Sequence, residues 1–487
     1  MMIFSTTTDL MPHQVPAVAK LLPTRVGGLF MDPGLGKSRT VIELAKLRAG
    51  KWDRFFWFCP CALKETVRFE LLKHTDLTGD QIYVFGDDTT PETSPDDRLF
   101  YIIGIESMAQ SPRVVLAFNG LATDRSFVAV DESSYIKGHR AIRTLRITGM
   151  SERSRYRAVL TGTPFTQGAV DLFAQMRFLS AKILGYHSFY SFAANHLEYE
   201  EIKIDGRWRK TNRIIRSHNT EYLAAKIAPY VYQVRQEECL SLPARIYDSK
   251  YFTMTKAQRE LYERAKEEIL LSEEFEEWSP IRIFRAFGAC QTIACGFWNR
   301  RDPLTGERET INVPHRRIEL LMAALGEIPE GEKVIIWANC RRSIAEICAA
   351  LTKEYGAEAV AELHGGVTEA RREASVSAWR QAGGSRFLVA SQGIGGHGWT
   401  LNEAAYVIVY KQGYKCSERI QMERRNHRIG QGRSPVYITL LCCESIDMRI
   451  SGALAGKEDA LRAFQTAVNK CRNEGMRKKA LEMVKAL

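Results

Sequence analysis

The sequence predicts an α/β protein with two parallel-sheet lobes and helical insertions between them. In the first part of the chain, short apolar runs alternate with helical patterns, which is typical of a parallel sheet with crossover helices. A second series of the same kind begins near residue 333. Between the two series, from about 170 to 315, the sequence is charged and largely helical in pattern, with no clear buried strand.

The first series contains five candidate strands and at least two helices. Each candidate strand is a short apolar run of the length expected for a buried strand. A helix is predicted over 62–75, because Leu63, Val67 and Leu71 fall on one helical face, and another is predicted to follow Lys37. The candidate strands are VGGLF (26–30), FFWFCP (55–60), YIIGI (101–105), FVAVDE (127–132) and RAVLTGT (157–163).

The second series contains four candidate strands and completes the predicted domain organisation. We expect a first lobe over 1–235 with a helical protrusion at about 170–230, and a second lobe over 236–487 with a protrusion at about 250–315. A basic helix is predicted at about 455–487, either bracing the lobes or lying in solvent. The candidate strands are KVIIWA (333–338), FLVAS (387–391), YVIVY (406–410) and VYITLL (436–441).

Composition and charge favour a globular protein with a polyanionic partner. The chain has 487 residues, of which 45% are hydrophobic and 26% charged, so neither disorder nor a fibrous repeat is indicated. A net charge of +11 favours a polyanion, although a basic, solvated surface would give the same value.

Cysteine spacing and hydropathy indicate a soluble, intracellular protein, cytoplasmic if it is bacterial or viral. The 11 cysteines include no CxxC pair and no tight Cys/His cluster, so we interpret them as free thiols in a reducing compartment. No apolar run approaches the length of a membrane span, and the first residues lack the pattern of a secretory signal.

A candidate phosphate-binding loop follows the first predicted strand. In the segment FMDPGLGKSRT, Gly34 and Gly36 let backbone N–H groups approach a phosphate, Lys37 reaches the β and γ oxygens, and Ser38 can ligate magnesium. The match to GxxxxGK[ST] is incomplete, because Met31 stands in place of the first glycine. The predicted nucleotide contacts in this loop are Gly34, Leu35, Gly36, Lys37, Ser38 and Arg39.

A carboxylate pair later in the chain strengthens this interpretation. The apolar strand FVAV runs directly into Asp131 and Glu132. Asp131 can hold magnesium, and Glu132 can orient or deprotonate the attacking water. A pair of this kind is common in loops, but its position after a phosphate loop points to nucleotide hydrolysis.

These motifs resemble those of helicase superfamily 2, and in particular its SWI/SNF group. The resemblance runs through the motifs in order from about 10 to 450 and implies two RecA-like lobes. LMPHQ (10–14) resembles the adenine-reading segment, which implies that Gln14 contacts the base. LTGTPFTQ (160–167) resembles the group's LTGTPIQN, which implies that Thr161, Gly162 and Thr163 couple the ATP state to lobe position.

In the second lobe the most specific match is QMERRNHRIGQ (421–431), which fits QxxxRxxRIGQ at each defined position. The resemblance implies that Arg425 and Arg428 reach the γ-phosphate and that Gln421 takes part in coupling. A cation supplied from the other lobe would stabilise transition-state charge only when the lobes close. LHGGVTEARR (363–372) and SQGIGGHGWTLN (391–402) resemble two further motifs of the group.

The chain departs from the group's pattern at several positions. Val67 stands where a tryptophan is usual, Ser134 where a histidine is usual, and Thr400 where an asparagine is usual. KQGYKC (411–416) replaces the DPDWNP segment, so roles carried by those positions are not transferred. None of these departures affects the predicted ATP-binding residues.

The function implied is an ATP-driven motor that moves along double-stranded DNA, with ATP and Mg²⁺ as cofactors. Backbone contacts to the nucleic acid are predicted for five residues. One alternative is a helicase that separates DNA or RNA strands. The other is a nucleotide-gated nucleic-acid-binding protein without turnover, and the intact catalytic set argues against this second alternative. The predicted nucleic-acid contacts are Lys64, His364, Gly365, Ser391 and Gln392.

Overall fold

The computed structural model describes residues 4–162, 168–204, 207–268, 280–301, 307–392 and 399–456. The chain divides into two compact units, Met1–Ser241 and Leu242–Leu487. Thr163 and, apart from its first two residues, the predicted basic helix at 455–487 lie outside the described ranges.

The first unit is built on a seven-stranded sheet in which every strand pair is parallel. The sheet order is β3-β4-β2-β5-β6-β1-β9, and β7 with β8 forms a separate antiparallel pair. The strands are β1 (Val26–Met31), β2 (Phe55–Cys59), β3 (Ile82–Val84), β4 (Phe100–Gly104), β5 (Phe127–Val130), β6 (Tyr156–Thr161), β7 (Leu197–Ile204), β8 (Arg207–Ser217) and β9 (Val231–Val234).

Helices cover the sheet of the first unit on both faces, and two apolar clusters form its core. All five residues of β2, and all of β4 and β5, are buried, as expected for parallel strands between two helical layers. The helices are α1 (Gln14–Leu21), α2 (Lys37–Leu47), α3 (Lys64–His74), α4 (Ser107–Gln110), α5 (Pro112–Leu121), α6 (Ile142–Ser151), α7 (Val170–Leu179), α8 (Ala181–Leu184), α9 (Phe189–His196), α10 (Thr220–Ile227) and α11 (Gln236–Cys239).

The second unit contains a six-stranded parallel sheet in the order β10-β17-β16-β13-β15-β14, and an antiparallel pair, β11 with β12. Its strands are β10 (Ile246–Phe252), β11 (Phe297–Arg301), β12 (Arg308–Asn312), β13 (Val334–Ala338), β14 (Val360–Leu363), β15 (Phe387–Ser391), β16 (Tyr406–Val409) and β17 (Val436–Cys442). Its helices are α12 (Lys256–Lys266), α13 (Pro280–Ile293), α14 (Arg317–Gly326), α15 (Arg341–Tyr355), α16 (Glu369–Arg380), α17 (Cys416–Asn426) and α18 (Ile446–Ala455).

The predicted fold class, two parallel-sheet lobes with insertions, is confirmed, and all nine candidate strands are present. The predicted helix over 62–75 is present as α3, with Val67 and Leu71 buried. Among the described residues, no helix is both long enough and apolar enough to cross a membrane.

The expectation of no clear buried strand between about 170 and 315 was wrong, because β9 lies there in the seven-stranded sheet with Val231 and Val234 buried. The antiparallel pairs β7–β8 and β11–β12 also lie in this part of the chain. So does β10, which belongs to the six-stranded sheet of the second unit. The sequences LEYEEIKI and RWRKTNRIIRS of β7 and β8 carry charges along their length, so they lack the continuous apolar run that marks a buried strand. The Asp-Gly dipeptide at 205–206 was a hairpin signal that the sequence analysis did not use.

Candidate functional site

The phosphate-binding loop connects β1 to α2, as the sequence predicted. Gly34 and Gly36 have positive φ angles of 88° and 71°, which L side chains rarely adopt. At Gly36, a Cβ atom would also lie only 2.1 Å from the Gln14 side-chain nitrogen. Both the backbone conformation and the available space therefore require glycine at position 36.

The Gln14 side chain forms hydrogen bonds with the backbone of this loop. Its amide nitrogen donates to the carbonyl oxygens of Leu35 and Gly36, both at 3.1 Å, and its amide oxygen accepts from the Met11 N–H at 2.8 Å. The side chain is buried at 1% exposure. The structure therefore assigns Gln14 a role in shaping the loop, while its contact with a base stays a prediction.

The remaining loop residues differ in what their side chains contact. Lys37 Nζ donates to the Met31 carbonyl at 3.0 Å, across the loop, and Ser38 is partly exposed in the first turn of α2. The Leu35 side chain is fully buried, so only its backbone is available to a ligand. The Arg39 guanidinium is also buried, donating to the carbonyl oxygen of Thr8 and pairing with Glu43 at 2.7 Å, so this side chain secures the segment that precedes α1.

The acid pair lies at the end of β5, beside the loop. The pKa of Asp131 is raised to about 7, first by loss of hydration and then by the charge of Glu132, while Lys37 acts in the opposite direction. Lys37 is thus close enough to Asp131 to influence its ionisation. The structure brings together the lysine and the two carboxylates that the sequence singled out.

Glu132 has an uncommon backbone conformation. Its φ and ψ angles are 45° and 54°, in the left-handed region, and its N–H donates to Asp131 Oδ1 at 2.9 Å. Left-handed backbone is rare for residues with a side chain and is concentrated at functional sites. The turn directs the chain away from the sheet immediately after Asp131.

The end of β6 packs directly on the phosphate-binding loop. Strand pairing places Thr161 opposite Phe30 on β1, and Thr161 is fully buried. A Cβ atom at Gly162 would lie 2.5 Å from Pro33 Cδ, so the two loops approach as closely as their backbones permit. Of the predicted coupling residues, Thr161 and Gly162 therefore adjoin the phosphate-binding loop.

The donor set at this site fits a magnesium ion that also binds phosphate. Ser38 and Asp131 would supply oxygen ligands, and Mg²⁺ commonly takes one or two protein ligands together with phosphate oxygens and water. Burial is the main cause of the raised pKa of Asp131, and a divalent cation beside the carboxylate would favour its ionised form. No group of three or more His, Cys, Asp or Glu side chains suited to a metal occurs in the described part of the chain.

In the second unit, the predicted catalytic arginines lie at the end of α17. Arg425 is largely buried, and its carbonyl oxygen accepts from the Leu401 N–H at 2.8 Å. Arg428 follows the helix and is partly exposed, as is Gln421 near the middle of the helix.

The last two residues of the RIGQ segment have clear structural roles. Gly430 has a φ of 94°, and a Cβ there would lie 2.3 Å from the side-chain nitrogen of Asn402. The Gln431 amide nitrogen lies 3.0 to 3.2 Å from the carbonyl oxygens of Asn402, Ala404 and Asn426. These contacts fix the loop that follows Arg428.

The predicted nucleic-acid contacts differ in their availability. Lys64 Nζ donates to the Phe85 carbonyl at 2.6 Å, and the buried Gln392 side chain accepts from the Gly413 N–H at 2.9 Å and contacts Met422. Gly365 is exposed with open space around it, and Ser391 is partly exposed at the end of β15. His364 lies 3.0 Å from Glu362 and accepts from the Gly366 N–H. Their contacts with nucleic acid stay predictions.

The sequence did not identify two sets of contacts, one at each end of the chain segment that links the first unit to the second. Asp32, inside the phosphate-binding loop, accepts from the Gln236 N–H at 3.0 Å. In the second unit, Arg245 donates to Glu423 and His427 of the arginine segment. Glu423 and His427 stand within QMERRNHRIGQ, but that pattern assigned roles only to its glutamine and arginines.

Comparison with known proteins identifies relatives along most of the chain. The chain is 22% identical over 465 residues to the human protein DNA annealing helicase and endonuclease ZRANB3, covering 92% of this chain and 40% of the relative. It is 23% identical over 472 residues to the Caenorhabditis elegans homolog of SWI/SNF-related matrix-associated actin-dependent regulator of chromatin subfamily A-like protein 1, covering 93% of this chain and 61% of that protein. The chain thus spans less than two thirds of the length of either relative.

A solved structure and two family matches complete the comparison. The Sulfolobus solfataricus SWI2/SNF2 ATPase core in complex with dsDNA is 19% identical, with a TM-score of 0.42, and the match covers 100% of this chain and 98% of that one. Residues 316–430 match the Helicase conserved C-terminal domain, and residues 19–281 match the SNF2-related domain. Because the second match covers more than half of the 487 residues, the protein belongs to the SNF2-related family of helicase-like ATPases.

Proposed function

We propose that this protein is a duplex-DNA-stimulated ATPase that translocates along double-stranded DNA, using ATP and Mg²⁺. The observation that carries the proposal is the position of Asp131 and Glu132 beside Lys37, with the pKa of Asp131 raised to about 7. Such a carboxylate pair is suited to a cation-bound triphosphate, because the cation offsets the repulsion between the two acids.

Each residue of the first unit then has a distinct task. Lys37 and the backbone N–H groups of the loop bind the phosphates, and Ser38 and Asp131 hold the cation. When bound, Mg²⁺ neutralises charge that develops on the phosphate oxygens. Glu132 orients the attacking water and accepts its proton.

Arg425 and Arg428 provide the dependence on DNA in this proposal. They belong to the second unit, whereas the phosphate-binding loop belongs to the first. Positive charge at the γ-phosphate lowers the barrier to transfer only if it stabilises the transition state more than it stabilises bound ATP. A track that engages both units would therefore stimulate hydrolysis by bringing these arginines to the nucleotide.

The names of similar proteins and the net charge of the chain favour duplex DNA as the track. The human relative is by name a DNA annealing helicase, and the Sulfolobus core has been solved with double-stranded DNA. The net charge of +11 is consistent with binding to a phosphate backbone. Movement without sequence preference requires contacts to this backbone rather than to base edges.

The test is the ATPase rate of the full chain alone and with duplex DNA, single-stranded DNA or RNA of equal length. We expect weak hydrolysis alone and strong stimulation by duplex DNA. Stimulation only by single strands or RNA would favour a strand-separating helicase, and no stimulation by any nucleic acid would contradict the motor. Displacement of a third strand from a triplex, without separation of the duplex, would then demonstrate translocation.

A further inference from the structure

The phosphate-binding loop is bonded to the start of the segment that connects the two units. Asp32 N–H donates to the Val234 carbonyl at the end of β9, at 3.3 Å, and Asp32 Oδ2 accepts from the Gln236 N–H at 3.0 Å. Asp32 belongs to the loop, and Gln236 is the first residue of α11. A displacement of the loop would thus be transmitted to residues 234–236, close to the end of the first unit at Ser241.

The other end of the same connecting segment is bonded to the helix that carries the catalytic arginines. Arg245 Nε donates to His427 Nδ1 at 2.9 Å, and Arg245 Nη1 donates to Glu423 Oε2 at 3.3 Å. The Tyr247 hydroxyl donates to the same Glu423 oxygen at 2.8 Å. Glu423 and His427 are both buried, so these contacts are largely shielded from solvent.

The hydrogen-bond pattern fixes the orientation of His427. Its Nε2 lies 2.8 Å from the carbonyl oxygen of Pro243, which can only accept, so Nε2 carries the hydrogen. Nδ1 is then the acceptor for Arg245 Nε, and both ring nitrogens are bonded to the connecting segment. His427 is also the C-cap of α17, directly between Asn426 and Arg428.

We infer that residues 235–247 form a coupling segment that relays the state of the phosphate-binding loop to Arg425 and Arg428. One end of the segment is held by Asp32 and the other by Glu423 and His427. Only residues 237–242 separate the two sets of contacts along the chain. This inference rests on the proposed function and adds Asp32 and Arg245 to it as positioning residues.

A coupling role accounts for the presence of a carboxylate at Asp32 and a guanidinium at Arg245, the two residues that anchor the segment. A carboxylate at Asp32 accepts a charge-assisted hydrogen bond from a backbone N–H, which is stronger than a bond between neutral groups. The planar guanidinium of Arg245 reaches an imidazole nitrogen and a carboxylate oxygen at once, which a lysine ammonium cannot match in geometry. Both contacts are specific enough to transmit small displacements.

The first experiment separates coupling from binding and from folding. We expect Asp32→Ala and Arg245→Ala each to lower the stimulation of ATPase activity by duplex DNA about tenfold, the loss expected for one charge-assisted hydrogen bond. In Arg245→Ala, the unstimulated rate and the affinity for a nonhydrolysable ATP analogue should stay near those of the unaltered protein. Asp32→Asn, which keeps an oxygen acceptor for the Gln236 N–H but not its charge, should restore part of the stimulation.

Arg419→Ala is the matched control. Arg419 Nε donates to the other oxygen of Glu423 at 2.6 Å, but it lies within α17, and its guanidinium meets the coupling segment only at the Tyr247 ring, 6.0 Å from the ring centre, among the described contacts. We expect its stimulation to be unchanged. Equal losses in Arg419→Ala and Arg245→Ala, or a loss of nucleotide affinity in Asp32→Ala that Asp32→Asn does not reverse, would overturn the inference.

A double variant tests whether the two anchors act through one element. Asp32 and Arg245 lie in different units, and distant residues with no shared partners usually have additive effects. If one segment links them, Asp32→Ala combined with Arg245→Ala should lose no more stimulation than the stronger single variant. Losses that multiply would show that the anchors act independently and would overturn the inference.

Hydrogen–deuterium exchange tests the segment without DNA. Binding of the ATP analogue with Mg²⁺ should change exchange in residues 240–247 of the full chain, and this change should be absent in Asp32→Ala. The result distinguishes the two proposals. No effect of nucleotide on 240–247 overturns the coupling segment, whereas the expected exchange without any stimulation by DNA overturns the proposed function and leaves the segment standing.

Discussion

The Ser133 hydroxyl donates to the Gln175 amide oxygen at 2.6 Å, and both side chains are fully buried. Ser133 follows the acid pair, and Gln175 lies on α7, where its amide nitrogen donates to the Asp171 carbonyl at 2.8 Å. Lys137 pairs with Asp171 at 3.6 Å. The turn that follows the proposed catalytic carboxylates is thus attached to α7 at two points.

Gln175→Leu should destabilise the first unit by about 1 to 3 kcal/mol, because it leaves the buried Ser133 hydroxyl without its partner. Adding Ser133→Ala should recover part of this loss. Urea unfolding of the single and double variants measures the coupling. Strictly additive losses would mean that the two side chains contribute nothing to each other.

Lys37→Ala and Glu132→Gln should separate nucleotide binding from hydrolysis. In the proposed mechanism, Lys37 contacts phosphate in the ground state, so its loss should weaken nucleotide affinity. Glu132 acts on the attacking water, so Glu132→Gln should bind ATP normally and hydrolyse it very slowly. Titration with a fluorescent nucleotide and single-turnover hydrolysis measure the two steps, and the reverse assignment of defects would contradict these roles.

Arg428→Ala should abolish DNA-stimulated hydrolysis while sparing ATP binding and DNA binding. An arginine that acts mainly on the transition state typically contributes about 10³-fold or more to turnover. The measurement is kcat at saturating DNA and ATP. Recovery of normal turnover under these conditions would place Arg428 on the DNA track instead.

Gly365→Glu should raise the dissociation constant for duplex DNA about tenfold, because it adds a negative charge at a predicted phosphate contact. Position 365 has open space around it, so the fold should tolerate the side chain. Gly326→Glu is the matched control, since Gly326 is equally open but lies at the end of α14. Equal effects of the two variants would indicate general electrostatic repulsion between the added charge and DNA.

For the unaltered protein, the affinity for duplex DNA should fall steeply with salt concentration and vary little with duplex sequence.

The stability of the second unit should fall as the pH rises above about 9. Burial raises the pKa of Cys290 to about 12 from an ordinary value of 9.0. The folded state therefore holds this proton more tightly than the unfolded chain, and the stabilisation present below pH 9 is lost as the unfolded thiol ionises. Cys290→Ala should reduce the slope of unfolding free energy against pH between 9 and 11 by up to about 1.4 kcal/mol per pH unit. An unchanged slope would contradict this.

The parallel sheets were predictable because their strands are continuous apolar runs, and burial on both faces requires such runs. FVAV and VIIWA are examples, and every residue of these strands is buried. β7 and β8 were missed because an antiparallel pair that is not buried on both faces does not require continuous apolar runs. Local hydrophobic patterns identify the core and say little about elements that project from it.

The chemistry of the site was predictable where residues are adjacent in sequence, as in the loop around Lys37 and the pair Asp131 and Glu132. Side-chain contacts between distant segments were not. Arg39 was expected at the nucleotide, but its guanidinium binds Thr8, and Asp32 received no role because its partner, Gln236, lies 204 positions away. Such contacts depend on tertiary packing, which no short motif encodes.

The left-handed backbone of Glu132 sets thermal stability against activity. A residue with a side chain in this region costs about 1 kcal/mol or more, whereas glycine adopts it without steric penalty. A library selected only for resistance to heat should therefore accept glycine or asparagine at position 132, and each would remove the carboxylate that we propose acts on the attacking water. If Glu132 acts as proposed, the protein with the most stable form of this turn would not hydrolyse ATP.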